Sequence, residues 1–277
     1  MRELNTIFVS IDPTTNKQLA LERAAAIAKK CAGSKLHAYA CIYSDIETDD
    51  EDALKQAEIA RYKLWLEEII APLRNSGLEV NAIIEWNEDW RHAIGPAAER
   101  AGSDLIVKYS RSQSPIKHRL MTSSDFALFK SASCTILTVR SEDHEMTGNV
   151  LVAVDCKRES EEYNEILDEA LAHGRRASTV TRNGELHVVN AYSTQEDYVH
   201  VTDVVKRTGV GPDFVHVVGA EPEQAIAQVA EEINAALVII GLSTKSSLVN
   251  RVFGSTAEWL LNNLTQDILV VIPAGEE

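Results

Sequence analysis

The residues best placed to do chemistry lie in one stretch, Ile240-Gly241-Leu-Ser-Thr244-Lys245-Ser246-Ser-Leu-Val-Asn-Arg251-Val-Phe-Gly254-Ser255-Thr256. An apolar run ends at Gly241, a polar loop follows, and a helical pattern begins near Ser255. Ser255 or Thr256 suits a helix N-cap or first turn, and Gly254 lets the chain enter that turn with little steric restriction. The free backbone N–H groups of a helix start hold a phosphate without any net protein charge. The hydroxyls of Thr244, Ser255 and Thr256 add donors, and Lys245 is a candidate counter-charge. An ordinary capped helix after a loop would read the same way, so both readings stand. The chemistry in question is anion binding. No Ser-His-Asp set, Cys-His placement or carboxylate pair is assigned by motif to acid–base work, and GxxxxGK[ST] is absent from the sequence. Catalysis is therefore not expected.

Other conspicuous residues have plainer readings. Asp12 precedes Pro13-Thr14-Thr15-Asn16, where an aspartate caps a turn more often than it binds a ligand. Asp155 has the same reading, balanced against a ligand role because its partner loop survives. Trp86, Trp90 and Trp259 are expected to pack rather than to stack on bases. The acidic run from Asp45 to Asp52 reads as a solvated, helix-favouring turn. Cys31, Cys41, Cys134 and Cys156 form no CxxC pair and read as thiols, and the scattered histidines show no metal-ligand spacing. No metal is expected.

These residues need a scaffold, and an internal repeat supplies it. Residues 104–140 lie against 236–272 at a constant offset of 132, pairing Leu105 with Leu237, Ser114 with Ser246, Arg119 with Arg251 and Leu128 with Leu260. The openings Ile7–Asp12 and Val150–Asp155 correspond, as do Leu36-His37 and Leu186-His187. Each half reads strand (7–12; 150–155), helix (18–32; 161–178), strand (35–42; 185–192), strand (79–85; 213–218), helix (89–101; 222–234), strand (105–108; 237–241), helix (122–132; 255–264) and strand (135–140; 267–272). Apolar strands alternating with amphipathic helices imply a doubly wound α/β fold with a parallel sheet covered on both faces. Its ligand crevice is expected at the carboxyl ends of the strands, where strand order reverses. The expected domains are 1–143 and 148–277, joined by a polar linker over 141–149. Between second and third strands the first half has a long helix, about 50–75, with Ala57, Ala60, Leu64, Ile69 and Leu73 near helical spacing. The second half has about twenty residues there, ending in Gly209 and Gly211, so its helix is expected to be curtailed and the crevice beside it open. At the positions of the loop glycines the first half has Tyr109 and Thr122, with Ser112 and Ser123 also in its loop. Loss of glycine from one copy of a retained fold points to a ligand role in the other.

The net charge of −15 is unevenly shared: residues 1–140 hold 18 Lys+Arg against 19 Asp+Glu, residues 141–277 hold 9 against 23. So acidic a second half speaks against a nucleic-acid partner, and an anion there must be held by local groups. No apolar run is long enough for a membrane span, and the N-terminus lacks signal-peptide regions, so a cytoplasmic location is expected.

With these residues in place, the chain resembles the universal stress protein family. The loop spacing G-x-x-G-(nine residues)-G-S/T, the Asp after the first strand, Gly219 before the fourth helix and the closing Ile268-Leu-Val-Val are similar to that family, twice over nearly the whole chain. The paired arrangement resembles its tandem, UspE-type members. The resemblance implies a five-stranded parallel sheet in each half, with helices on both faces. It also implies an ATP ligand, with or without Mg²⁺, in a regulatory protein of the stress response that hydrolyses ATP slowly at most. Asp155 would contact the adenine or ribose end, Val188 would flank the base, and Ile240 and Gly241 would line the pocket floor. Gly254, Ser255 and Thr256 would hold the phosphates. The second loop glycine is Thr244, a β-branched residue that resists φ > 0. The halves would pair as an intramolecular pseudo-dimer, with a homodimer of tandems as a further step. The alternative is an interaction scaffold without nucleotide, or a binder of an apolar or nucleotide-sugar ligand between the halves.

Overall fold

The computed structural model describes residues 4–31, 33–45, 50–110, 123–142, 146–242 and 254–272. The described residues group into two compact units that part between Val139 and Arg140.

The first unit runs β1 (Thr6–Ser10), α1 (Leu19–Lys30), β2 (Lys35–Ile42), α2 (Glu51–Asn75), β3 (Glu79–Trp86), α3 (Ile94–Arg100), β4 (Leu105–Tyr109), α4 (Ser123–Ser131) and β5 (Thr135–Val139). Its strands lie in the order β3-β2-β1-β4-β5 and pair in parallel. Ile7, Phe8 and Val9 are all fully buried although successive side chains point to opposite faces, so both faces of β1 are covered.

The second unit repeats the plan with β6 (Asn149–Val154), α5 (Glu161–Val180), β7 (Leu186–Tyr192), α6 (Val201–Thr208), β8 (Val215–Gly219), α7 (Pro222–Glu232), β9 (Ala235–Gly241), α8 (Ser255–Asn263) and β10 (Asp267–Val271). Its parallel sheet has the order β10-β9-β6-β7-β8, the same doubly wound arrangement, with strand order reversing between β6 and β9. Helix α5 is capped by Ser160, whose side chain accepts the Tyr163 N–H, and buries Ile166, Leu167, Ala170, Leu171 and Gly174 at three- and four-residue spacing. Each large side chain in that stripe contributes about 1.5–3 kcal/mol. Gly174 sits against Val152, Leu186 and Ile239, which places those side chains on the α5 face of the sheet.

Three details depart from expectation. The long helix α2 does form, with Asp50 accepting the Ala53 N–H at its start, but its buried residues are Leu66 and Ile70. Of the expected apolar stripe, Ala57 and Ala60 are exposed and Leu64 is 68% exposed, so the buried face is rotated away from it. Helix α3 begins at Ile94 rather than near residue 89, because Asn87 accepts the Asp89 N–H and Asp89 O accepts the His92 N–H, closing a turn first. The segment expected as a linker is partly built into the second unit. The Arg140 and Ser141 N–H groups donate to buried Asp267, and Met146 is buried.

Candidate functional site

The curtailed helix of the second half is observed: only two turns of α6 remain, ending at Gly209 in the left-handed conformation (φ 65°). A short 3-10 turn, Gln195–Asp197, precedes it. Beside this segment a crevice of about 380 Å³ opens at the carboxyl ends of β6 and β7 and the first turn of α7. That volume is in the range of small-molecule sites. Its walls include Ala153 and Asp155, Val189, Pro222 and Ile226.

The polar rim carries both signs of charge: Asp155, Lys157, Arg158 and Asp197 all line the crevice. Asp155 Oδ1 accepts the Lys157 N–H at 3.1 Å, and the Asp155 N–H donates to the Tyr163 hydroxyl. Burial pushes the Tyr163 phenol up to about 12, so it is neutral at physiological pH. The Lys157 ammonium donates to Glu196 O and, at 3.0 Å, to Asp197 Oδ1. The Thr194 hydroxyl and then Lys157 hold the Asp197 carboxyl below its usual range. From α6, the Arg207 guanidinium donates to Cys156 O and Arg158 O, both at 2.6 Å, and to Asn164 Oδ1 at 2.8 Å. The loop after β6 is thus held from two sides, and its shape is prepared before any ligand arrives.

The expected site residues divide into three groups. Asp155 lines the crevice. Val188 does not: it shares the face of Leu186 and Val152 that packs on α5, and its neighbour Val189 takes the crevice side. Ile240 is buried and lies on the face of the sheet opposite α5, outside the crevice lining. Gly241 ends β9, and a Cβ there would lie 2.2 Å from Ile166 Cγ2 of α5. Packing therefore requires that glycine, which weakens the inference from its loss in the first half. Gly254 is different. It has φ −65° and ψ 147°, a conformation open to any residue, and no described atom lies within 4 Å of where its Cβ would be. Ser255 is exposed at the first position of α8, and Thr256 Oγ1 donates to Glu223 Oε2 at 3.1 Å, next to the Pro222 wall. Thr244 and Lys245 fall outside the described residues. Sequence reasoning missed Lys157, Arg158 and Asp197; two cations directly after Asp155 in an acidic half were the available signal for the first two.

In the first unit the corresponding region satisfies itself. Asp12 Oδ1 accepts from the Thr14 N–H and hydroxyl, the turn expected of it. The Gln18 side chain, 5% exposed, accepts the Asp12 N–H and donates to Asp12 O and Thr15 O. Trp65 of α2 donates to Asn16 in the same loop. Lys108 and Asp125, at the positions of Ile240 and Ala257, form an ion pair with side chains 14% and 5% exposed. Trp86 packs edge-on against Tyr43, while Trp90 and Trp259 are 41% and 38% exposed. All four cysteines are free thiols, and the described residues contain no group of three potential metal ligands. No described helix is long and apolar enough to cross a membrane.

A sequence model of the universal stress protein family matches residues 3–140 and 201–271. The chain is 24% identical to the universal stress protein E homolog of Haemophilus influenzae, over 99% of each. It is 22% identical to universal stress protein E of Escherichia coli K12, over 99% of this chain and 95% of that protein. Among solved structures it is similar to a functionally unknown protein of Pseudomonas aeruginosa PAO1, with TM-score 0.76, 23% identity and coverage of 98% and 93%. A universal stress protein of Archaeoglobus fulgidus gives TM-score 0.75 at 19% identity, covering 99% and 98%. The family match omits residues 141–200, so Asp155 and Val188 lie outside it.

Proposed function

The chain belongs to the universal stress protein family, and we propose that it is a tandem, nucleotide-binding regulatory member with one ATP site, in its second half. The observation that carries this reading is Gly254. Neither backbone conformation nor packing against described atoms calls for glycine there. Glycine there suits the N-cap of α8 and, in this reading, leaves the bare backbone open to close approach by a phosphate held on the N–H groups of the helix start. The crevice supplies room for the nucleoside end, and Asp155 on its rim can accept from a ribose hydroxyl or a base amine. Lys157 and Arg158 offset the charges of Asp155 and Asp197 on the rim, so the crevice is locally near neutral in a half whose net charge repels anions. The protein uses ATP as a ligand, with Mg²⁺ carried on the phosphates, in the cytoplasm. The first half serves as the structural counterpart in a pseudo-dimer.

Calorimetric titration of Gly254→Val with ATP and Mg²⁺ tests the reading. The variant is expected to lose ATP binding with its fold intact, while Thr122→Val in the first half leaves binding unchanged. Equal loss from both substitutions would place the site in the wrong half. One observation favours the scaffold reading: Thr244 replaces a glycine at a close-approach position of the family loop. Absence of binding by the wild-type chain at millimolar ATP would favour that scaffold.

A further inference from the structure

Two imidazoles meet beneath α7, at the opposite end of this helix from the crevice. His187 on β7 and His216 on β8 have Nδ1 and Nε2 3.0 Å apart, with ring centroids 5.3 Å apart and an interplanar angle of 24°. Phe214 sets its ring edge-on against His187 at 5.1 Å. His187 is 8% exposed, and its other ring nitrogen, Nε2, is buried with no hydrogen-bond partner. A 3.0 Å contact between two ring nitrogens holds one proton, donated by one ring to the lone pair of the other. If both rings become imidazolium, two N–H groups point at each other and two positive charges face across that distance. A charged His187 would also bury an unpaired N–H at Nε2.

We propose that His187 and His216 form an acid-sensitive switch that loosens the β7–β8 edge and, with it, the α7 wall of the crevice. β8 is the outer strand of the second unit's sheet on this side, so among the described residues β7 is its only strand partner. It leads within three residues into Pro222, and α7 contributes Pro222 and Ile226 to the crevice at one end while Glu232 at its other end faces His216. The charged groups acting on the pair are Glu185 before β7, which raises the His187 proton affinity, and Glu232, which raises that of His216. Burial outweighs both and lowers each imidazole below its ordinary value. Solvated histidines bind protons from about pH 6.5 downward. The opened edge therefore takes up protons before the closed edge does, and falling pH below about 6.5 favours opening. The first half holds an internal control. His37 is the repeat equivalent of His187 and also has a buried, unpartnered ring nitrogen, but Ile83 stands where His216 would be.

Hydrogen exchange of the full chain at pH 7.5, 6.5 and 5.5, corrected for intrinsic exchange rates, tests the proposal. Peptides covering β8 and the first turn of α7 should exchange on the order of tenfold faster at pH 5.5 than at 7.5. Peptides covering β2 and β3 should change less, since only one imidazole, His37, is lowered by burial there. In His216→Gln, whose amide oxygen can still accept from His187, the pH effect should be clearly smaller than in the wild type, with only the buried His187 left to take up a proton on opening. Proton titration of the wild-type imidazole resonances gives the same answer without a variant: both rings should titrate below the range of a solvated histidine. Unchanged protection of β8 between pH 7.5 and 5.5, or an equal loss in His216→Gln, would overturn the switch.

Discussion

At the scale of single residues, the two surviving loop glycines turn out to have different causes. Gly241 makes room for Ile166 of α5, whereas Gly254 meets no described neighbour. Gly241→Val should therefore cost about 1–3 kcal/mol of stability through overpacking, seen as a lower urea midpoint. Gly254→Val meets no such clash and should lower the midpoint by no more than a change of helix cap does, about 1 kcal/mol. A single sequence cannot separate these roles, because packing and ligand approach both select for a missing Cβ. Asp155 was legible as a crevice residue, since an aspartate closing an apolar strand has few other places to go. Val188 does not line the crevice, whereas its neighbour Val189 does. Side chains alternate along a strand, so a one-residue shift exchanges the crevice face for the α5 face. Asp197 was invisible, for it reaches the rim only through the fold of the segment after β7. Gly219, read as a family mark, has a local cause: a Cβ there would lie 2.8 Å from the Tyr192 hydroxyl oxygen.

At the scale of elements, the halves differ where one strand–helix connection was rebuilt. The first half spends 25 residues on α2, while the second keeps an eight-residue α6 whose Arg207 clamps the loop after β6. Arg207→Met should lower stability by about 2 kcal/mol, as charged hydrogen bonds to two carbonyls are lost, and should weaken ATP binding alongside. Urea unfolding and calorimetry on the same variant check both effects. The first half is closed by the Lys108–Asp125 pair where the second has Ile240 and Ala257. Removing Lys108 takes a neutralising charge away from buried Asp125, so Lys108→Met should lower the urea midpoint. The double replacement Lys108→Ile with Asp125→Ala should restore most of that loss, because no charge is left unpaired. Order and type of the strands and helices were readable from apolar runs and periodicity. The buried face of α2 was not, because its 25 residues carry apolar side chains on several faces and packing against β3 and β2 decides which of them is covered.

At the scale of the whole molecule, acid should destabilise the fold in a defined window. Burial, and then Arg176, lower His173 to about 4 in the folded chain. The unfolded chain binds that proton from about pH 6.5 downward, so stability present above pH 6.5 is lost as pH falls toward 4. The loss from His173 is at most about 3 kcal/mol, and His173→Gln should flatten the dependence of the urea midpoint over that range. The uneven charge, −1 in residues 1–140 against −14 in 141–277, sets the terms for any anionic ligand. Its affinity must come from backbone N–H groups and a few nearby cations, and it should fall steeply if either is removed. The central claim is one nucleotide site for two copies of one fold. Equilibrium dialysis of the wild-type chain against ATP and Mg²⁺ tests it most directly: the account predicts one ATP per chain, and either two per chain or none at millimolar ATP would contradict it.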